Sequence, residues 1–172
     1  YRLIKDQGIT VLMGAPTMLL DLLQHPDMHQ LDLSRISNVS AGGAATPTAL
    51  AGLYKSKLPN TMPGAGWGLT ETGGTGAAFT GSLMSQFPGT SGFLSPIIES
   101  SFRDEEGQQV NAGEPGEIWI KSPTCIQSYF CGDDSQDDFA EGWFKTGDVG
   151  YLNDEGILVI CDRVKDMIIR GG

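Results

Sequence analysis

Helix and strand signals alternate along residues 1–85, and this alternation limits the fold more than any other feature of the sequence. A short apolar run at 9–13 predicts a buried strand, and a second strand is predicted at 36–40. A helical pattern follows each of these strands. Strand and helix in regular succession predict an α/β layer with parallel strands.

Each of the two predicted helices has its own start signal and apolar face. Pro16 suits the first turn of one helix, and Thr46 followed by Pro47 predicts a capped start for the other. The apolar stripes comprise Met18, Leu19, Leu22 and Leu23 in the first helix, and Leu50, Leu53 and Tyr54 in the second. Lys55 and Lys57 fall at the end of the second helix, where the helix dipole favours cations.

Beyond residue 87 the helical stripes largely disappear, and short strands separated by glycine and proline take their place. Residues 101–110 and 151–160 each indicate a strand, an acidic turn and a second strand, with the turns closed by Gly107 and Gly156. This spacing of short strands predicts a small antiparallel, barrel-like β subdomain.

A further strand is predicted at 116–122, with Ile118 and Ile120 on one face. We expect the boundary between the strand–helix pattern and the pattern of short strands near Ser85. The expected division is an α/β part at 1–85, a small β subdomain at 86–163, and a hinge that begins another domain at 164–172.

The charge and cysteine content exclude several classes of function. The net charge is −10, from 21 acidic and 11 basic residues, which argues against a nucleic-acid surface. No apolar run approaches the ~20 residues of a membrane span. The three cysteines, Cys125, Cys131 and Cys161, have no CxxC spacing, so zinc and a disulfide framework are not indicated and a cytoplasmic location is expected.

Two glycine-rich stretches are candidates for ligand contact. Residues 40–45, SAGGAA, allow either close approach of a ligand to the backbone or a tight strand-to-helix turn. In 64–74, GAGWGLTETGG, the Trp67 ring can stack on a base, Thr70 can contact a phosphate, and Glu71 is a ligand of the kind that Mg²⁺ prefers. The alternative is that Trp67 belongs to the core and Glu71 is a surface charge.

The third candidate element lies near the end of the chain. Asp148 is predicted to open a strand and Arg163 to end its partner strand. A carboxylate can accept from both hydroxyls of a ribose, and a nearby arginine can hold the sugar or a phosphate. The alternative is a cross-strand salt bridge in a hairpin. The aspartates of 133–138 are interpreted as a solvated loop.

Six segments, in this order, resemble the motifs of the adenylate-forming superfamily, which includes acyl-CoA synthetases, peptide-synthetase adenylation domains and luciferases. They are VLMGAPTMLLDLL, SAGGAATPTAL, GWGLTETGG, GEPGEIWIKSP, WFKTGDVGYLNDEG and DRVKDMIIRGG, and together they cover nearly the whole chain. The family's upstream phosphate loop and downstream domain with a catalytic lysine are not found here. With Tyr1 at the start and two glycines at the end, we expect a central piece of a longer protein.

The resemblance implies a role for each matching residue. Trp67 would lie against the adenine, while Thr70 and Glu71 are the candidate catalytic residues, Glu71 being the metal ligand. Asp148 matches the ribose-binding aspartate and Arg163 the nucleotide-binding arginine. The other implied cofactor-binding positions are Gly43, Ala44, Gly66, Gly68, Leu69, Lys165, Gly171 and Gly172.

Some of these positions have more specific roles in the resemblance. Lys165 falls where the family has its hinge residue, and Gly171 and Gly172 fall where the loop that meets the thiol cofactor begins. The sequence departs from the family pattern at Ser128 and Cys161, where glycine is common.

The implied activity is that of an ATP-dependent carboxylate–CoA ligase, with ATP or AMP, Mg²⁺, coenzyme A and a fatty or aryl acid as its small-molecule partners. The isolated piece is expected to be inactive, because the family's catalytic lysines are not in it. The ending KDMIIRGG is more typical of acyl-CoA synthetases than of peptide-synthetase domains, and a luciferase-like enzyme is not separated by these residues. A non-catalytic nucleotide-binding module and a purely structural α/β scaffold are the alternatives from other classes.

Overall fold

A computed structural model describes residues 2–44, 46–74, 76–130 and 138–164 of the chain. Contacts group the chain into two compact units. The first comprises Tyr1–Trp67 and Ala78–Gly92, and the second comprises Gly68–Ala77 and Phe93–Gly172. The division at residues 85 and 163 that the sequence pattern indicates stays a prediction.

The first unit contains three parallel strands together with helices, as the alternating signals predict. Strand β2 (Asn38–Ala41) pairs in parallel with β1 (Val11–Gly14) and with β3 (Met62–Gly68), so that Val39 lies opposite Leu12 on one side and Pro63 on the other. The elements are α1 (Arg2–Gln7), β1 (Val11–Gly14), α2 (Pro16–Gln24), β2 (Asn38–Ala41), α3 (Thr48–Lys57), β3 (Met62–Gly68), β4 (Gly76–Thr80) and α4 (Ser82–Gln86), with a 3-10 turn at Pro26–Gln30. The ends of β3 and β4 at Gly68 and Gly76–Ala77 belong to the second unit.

Helix α2 begins at Pro16, as predicted, but its buried face is narrower than the predicted stripe. Leu19 and Leu23 are buried, whereas Met18 is 64% exposed. Adjacent helical positions differ by about 100° around the axis, so burial of Leu19 turns Met18 away from the core. None of the described helices combines the length and the apolar character needed to cross a bilayer.

The predicted start of α3 is wrong by one position. Pro47 has extended geometry and is itself the N-cap, the helix begins at Thr48, and no side chain caps it, so the Thr46 cap is not formed. Leu50 and Tyr54 are buried along the predicted face, and Lys55 and Lys57 lie in the last turn as expected.

The second unit is built from antiparallel pairs, as predicted, and its described strands form an open sheet. Strand β9 (Trp143–Leu152) pairs with β7 (Gly116–Lys121) on one side and with β10 (Ile157–Arg163) on the other. The strands are β5 (Gly92–Leu94), β6 (Glu99–Arg103), β7 (Gly116–Lys121), β8 (Phe139–Ala140), β9 (Trp143–Leu152) and β10 (Ile157–Arg163), in the order β5-β10-β9-β7-β6 with β8 on β9.

One of the two predicted hairpins forms in full. Strands β9 and β10 are joined by a turn in which the Asn153 side chain accepts from the amides of Glu155 and Ile157. After β6 the acidic turn closes at Gly107, but a single bridge between Arg103 and Gln109 follows it, so the strand predicted there is wrong. The partner of β6 is β7 instead.

Packing around Gly150 gives a test of the second unit. A Cβ at this position of β9 would overlap the carbonyl oxygen of Val159 and lie 3.1 Å from Cδ1 of Ile118. We expect Gly150→Ala to lower the free energy of unfolding by about 1–3 kcal/mol, as overpacked cores do. Urea unfolding of the full-length protein measures this change.

Gly52→Ala is the control, because nothing lies within 4 Å of a Cβ at this position in helix α3. Alanine there should raise the free energy of unfolding by about 0.5–1 kcal/mol. Equal stability of Gly150→Ala and the unmodified protein would show that β9 and β10 are not packed as described.

Candidate functional site

A single 3-10 turn, Thr70–Thr72, carries Glu71 directly after the end of β3. Thr72 is fully buried and fixes this turn. Its Oγ1 accepts from the amide of Leu69 at 3.2 Å and donates to the Leu69 carbonyl at 2.9 Å. Gly73 follows with a φ of 65°, which glycine adopts without strain. The turn that presents Glu71 is therefore held by its own side chains and backbone.

A segment far along the chain holds Glu71 at two points. The amide of Ile126 donates to the Glu71 carbonyl at 2.8 Å. The phenol of Tyr129 donates to Oε1 of the Glu71 carboxylate at 2.9 Å. Burial and the neighbouring carboxylate of Glu71 raise the pKa of Tyr129 to about 12. The phenol therefore keeps its proton at neutral pH and acts as the donor.

Aromatic contacts fix the Tyr129 ring in turn. Phe139 meets it edge to face, with ring centroids 6.3 Å apart and an angle of 64°. Phe139 packs on Phe144 at 5.3 Å, and these two residues lie opposite each other where β8 pairs with β9. Phe144 is buried in the core of the second unit. The donor to Glu71 is thus connected to the central strand of its unit.

Asp148 and Arg163 form an ion pair across the β9–β10 ladder. They lie opposite each other in register, and Nε of Arg163 donates to Oδ1 of Asp148 at 2.8 Å. The Asp148 side chain is 9% exposed and that of Arg163 is 60% exposed. The cross-strand pair that the sequence left as an alternative is therefore present. Because one partner is buried, removing the other would be more costly than at a surface pair.

The prediction that Asp148 opens a strand is wrong, because β9 already begins at Trp143. Thr146, two positions before it, is buried and donates to the Ile118 carbonyl at 2.8 Å. The same hydroxyl accepts from the Asp148 amide at 3.1 Å. Asp148 is positioned by a continuous strand and a buried hydroxyl, which gives it less freedom than a strand end would.

A cleft of about 400 Å³ within the second unit brings these groups together. Its charged and hydroxyl-bearing lining residues are Glu71, Glu117, Asp138, Lys145, Arg163, Tyr129 and Thr146. Three carboxylates with two cations and two hydroxyls suit a phosphorylated ligand that carries a divalent metal. A larger cleft of about 710 Å³ lies beside the acidic turn after β6, and its chemistry is less suited to an anion.

The donor set around Glu71 fits a magnesium ion that arrives with a nucleotide. Among the described residues, no group of three or more histidines, cysteines, aspartates and glutamates could hold a metal by itself. Mg²⁺ commonly uses one or two carboxylates together with substrate phosphates and waters. Oε2 of Glu71 makes no hydrogen bond to any residue that the structure describes, so one carboxylate oxygen is available to a metal.

The predicted site residues divide between the two units. Leu69, Glu71 and Arg163 line the cleft, Asp148 is bonded to Arg163, and Thr70 is exposed at the start of the turn. Gly68 belongs to the same unit, whereas Gly43, Ala44, Gly66 and Trp67 belong to the first unit. Lys165, Gly171, Gly172 and the acidic residues 133–137 lie outside the described residues.

Two of the first-unit residues can be placed locally. Gly43 has a φ of 79° and nothing within 4 Å of a Cβ, so its requirement for glycine is conformational rather than a matter of close contact. Trp67 is half-buried near the end of β3, and it is neither a core residue nor fully exposed.

Sequence reasoning missed Tyr129 and Thr72. Tyr129 is 58 positions from Glu71, so no local spacing connects them. Thr72 looked like one more polar residue in a glycine-rich stretch. Its hydroxyl bonds to Leu69, three positions earlier, which is the spacing that a capped turn uses. A threonine at this spacing was the signal available in the sequence.

A family model described as AMP-binding enzyme matches residues 1–130. The chain belongs to this AMP-binding enzyme family.

Relatives and solved structures agree with this membership. The chain is 34% identical over 173 residues to the long-chain-fatty-acid–CoA ligase FadD13 of Mycobacterium tuberculosis, covering 100% of this chain and 34% of the relative. A crystal structure of the anthranilate–CoA ligase AuaEII in complex with anthranoyl-AMP has a TM-score of 0.86 at 28% identity, covering 98% of this chain and 32% of that one.

A third comparison includes the nucleotide and the metal. The O-succinylbenzoate coenzyme A synthetase MenE of Bacillus subtilis, in complex with ATP and a magnesium ion, has a TM-score of 0.79 at 30% identity. This comparison covers 95% of the present chain and 33% of MenE. The chain spans about a third of the length of the relatives that it matches.

The hydroxyl of Thr72 gives a test of the turn that carries Glu71. In Thr72→Val the shape is kept, but the Leu69 amide loses its acceptor, a loss that costs about 1–3 kcal/mol when the donor is buried. We expect hydrogen exchange at the Leu69 amide to accelerate about tenfold, which corresponds to the lower part of that range. Mass spectrometry of the peptide at 68–74 measures the exchange.

Thr72→Ser is the matched variant, because serine retains the hydroxyl and loses one buried methyl group. Its Leu69 amide should stay protected even if global stability falls by about 1 kcal/mol. Rapid exchange in both variants would mean that packing of the methyl group, and not the hydrogen bond, holds the turn.

Proposed function

We propose that the full-length protein is an ATP-dependent carboxylate–CoA ligase. It converts a carboxylic acid into an acyl adenylate with release of pyrophosphate, and then transfers the acyl group to the thiol of coenzyme A. The observation that carries this proposal is the meeting of Glu71 and Arg163 in one cleft of the second unit. Family membership and the CoA ligases among the relatives support it.

The first step forms a bond between a carboxylate oxygen and the α-phosphorus of ATP and breaks the bond to pyrophosphate. Negative charge on the phosphates must be balanced, and in this chain that task falls to Arg163, Lys145 and a metal held by Glu71. Bound Mg²⁺ supplies Lewis-acid stabilisation of the phosphate oxygens. Asp148 orients Arg163 through the 2.8 Å bond and offers a carboxylate to the ribose hydroxyls.

The second step takes place at the acyl carbon and forms no new bond to phosphorus. The thiol sulfur forms a bond with the acyl carbon, the bond from that carbon to AMP breaks, and the thiol proton is lost. The proposed contact with coenzyme A at Gly171 and Gly172, and the proposed hinge at Lys165, rest on the family resemblance. The proposed contact of Trp67 with adenine also rests on the family resemblance.

The remaining first-unit and turn positions are assigned in the same way. Gly43, Ala44 and Gly66 are proposed to line the adenine and acyl pocket, and Thr70 is proposed to contact a phosphate oxygen. Its exposure at the start of the turn supports this role for the Thr70 hydroxyl.

A fatty or aryl acid is the proposed carboxylate substrate. The relatives are described with long-chain fatty acid, anthranilate and O-succinylbenzoate, which share a carboxylate on an apolar or aromatic body. The described cysteines Cys125 and Cys161 are free thiols, which supports the proposed cytoplasmic location.

Neutralising Glu71 tests the proposed metal role. Glu71→Gln keeps the shape of the side chain and its acceptor for Tyr129 but removes the charge that would hold Mg²⁺. We expect pyrophosphate release by the full-length protein, measured with a panel of carboxylates, to fall by about a hundredfold or more. Circular dichroism should show an unchanged fold.

Glu155→Gln is the control, because Glu155 is an exposed acid in the β9–β10 turn. It should release pyrophosphate at the unmodified rate. Normal release by Glu71→Gln would remove Glu71 as the metal ligand, and absence of release by the unmodified protein with every carboxylate would contradict the ligase assignment.

Asp148→Asn tests the ribose contact. The asparagine replaces one carboxylate oxygen by an NH₂ donor. One acceptor is then left for the ribose hydroxyls and Arg163, where the aspartate offers two. A mismatched polar group costs about 1–3 kcal/mol, which corresponds to roughly tenfold to hundredfold weaker ATP binding. Fluorescence titration with ATP and with 2′,3′-dideoxy-ATP measures the difference.

The variant should no longer distinguish the two nucleotides, whereas Asp154→Asn, in the exposed turn, should distinguish them as the unmodified protein does. An Asp148→Asn protein that prefers ATP as strongly as the unmodified protein would show that Asp148 serves Arg163 alone.

A further inference from the structure

We propose that Tyr129 is a positioning residue that orients the Glu71 carboxylate toward the metal–triphosphate. This inference rests on the proposed function, since it concerns the metal ligand of the first step. It assigns a role to a side chain that none of the six motif segments contains. The geometry of the second unit carries the argument.

The first observation is how the Tyr129 hydrogen bond divides the two carboxylate oxygens. The phenol occupies Oε1 of Glu71 at 2.9 Å. A glutamate side chain has three rotatable bonds, and a fixed donor on one oxygen selects a single orientation of the carboxylate. Oε2 is then the oxygen left to a metal in the cleft that both residues line. Carboxylates that bind metals are commonly held by such hydrogen bonds.

The second observation is that the donor itself is fixed. The backbone of the same segment is tied to the turn, because Ile126 donates to the Glu71 carbonyl at 2.8 Å. The Tyr129 ring is held edge to face by Phe139, which packs on the buried Phe144. A donor that is fixed at its backbone and at its ring can hold an acceptor in one place, whereas a freely rotating donor would follow it.

A purely structural role is the competing explanation, in which the bond only ties two segments together. The two roles differ in what they predict for nucleotides. Loss of a structural tie would weaken binding of AMP and of ATP alike, with or without metal. Loss of a positioning contact would reduce the gain in ATP affinity that Mg²⁺ confers, and would leave AMP binding unchanged.

The decisive variant is Tyr129→Phe, which keeps the ring and its contact with Phe139 and removes only the hydroxyl. The full-length protein is titrated calorimetrically with α,β-methylene-ATP, once in excess Mg²⁺ and once in EDTA, and separately with AMP. We expect the Mg²⁺-dependent gain in affinity to fall by about tenfold, at the lower end of the range for second partners of metal ligands. Affinity in EDTA and for AMP should stay as in the unmodified protein.

Tyr151→Phe is the matched control, since Tyr151 is half-buried in β9 opposite Val159 and away from the cleft. It should leave every affinity unchanged. Phe139→Leu retains the hydroxyl but removes the edge-to-face contact, and should cause a smaller loss of the Mg²⁺-dependent gain. This second variant tests the same idea if Tyr129→Phe is poorly folded.

A double-mutant cycle links the effect to Glu71. In Glu71→Gln the charged ligand is absent, so adding Tyr129→Phe should cause no further loss of the Mg²⁺-dependent gain. An additive loss would mean that Tyr129 acts independently of Glu71 and would overturn the proposal.

The remaining outcomes separate the two proposals. A normal Mg²⁺-dependent gain in Tyr129→Phe, with the gain present in the unmodified protein, overturns the role of Tyr129 alone. Equal weakening of AMP and metal-free binding assigns the bond a structural role. Absence of any Mg²⁺-dependent gain in the unmodified protein contradicts both this inference and the proposed function.

Discussion

The pairing of strand β9 on both of its edges determines where the chemistry of the second unit can lie. Side chains alternate along the strand, and the buried set is Phe144, Thr146, Asp148 and Gly150. Two of these four are polar, so the buried face of the strand is stable only if both find partners. Thr146 bonds to the Ile118 carbonyl on β7, and Asp148 is paired with Arg163 on β10. The neighbouring strands thus satisfy the polar groups, and the same pairs bring Arg163 to the cleft. Polar side chains on the core face of a regular strand are a departure from apolar patterning of the kind expected at functional sites.

Local cations offset part of the acidic character of the chain at this cleft. The net charge is −10, so an anionic nucleotide is repelled by the chain as a whole. Lys145 lines the cleft, and its ammonium lies 5.0 Å from the ring of Trp119. The guanidinium of Arg103 lies on the same ring at 4.2 Å. Such contacts hold long cationic side chains over aromatic rings at a modest gain of about 0.5–1 kcal/mol when exposed. The cleft therefore places two cations, Lys145 and Arg163, among the carboxylates of Glu71, Glu117 and Asp138.

Local sequence signals predicted the elements better than they predicted the contacts between them. The β9–β10 hairpin was readable because its turn and both strands are consecutive in the sequence, and Arg163 ends β10 as expected. The cap at Thr46 failed because Pro47 adopts extended geometry, which places it outside the helix. The start of β9 was missed because the strand continues through Gly147, whose φ of 71° is unusual inside a strand. Tyr129 could not be predicted, since its bond to Glu71 joins segments whose proximity depends on the tertiary fold.

The central claim is that the Glu71 carboxylate binds the divalent metal of a metal–nucleotide complex. Crystals of the full-length protein grown with Mn²⁺ and α,β-methylene-ATP would test it most directly, because manganese gives an anomalous diffraction signal that locates the ion without interpretation of nearby density. The account predicts an anomalous peak at coordination distance from Glu71 Oε2, with Oε1 still accepting from Tyr129. A peak elsewhere, such as in the cleft beside Arg103 and Gly107, with none at Glu71, would contradict it.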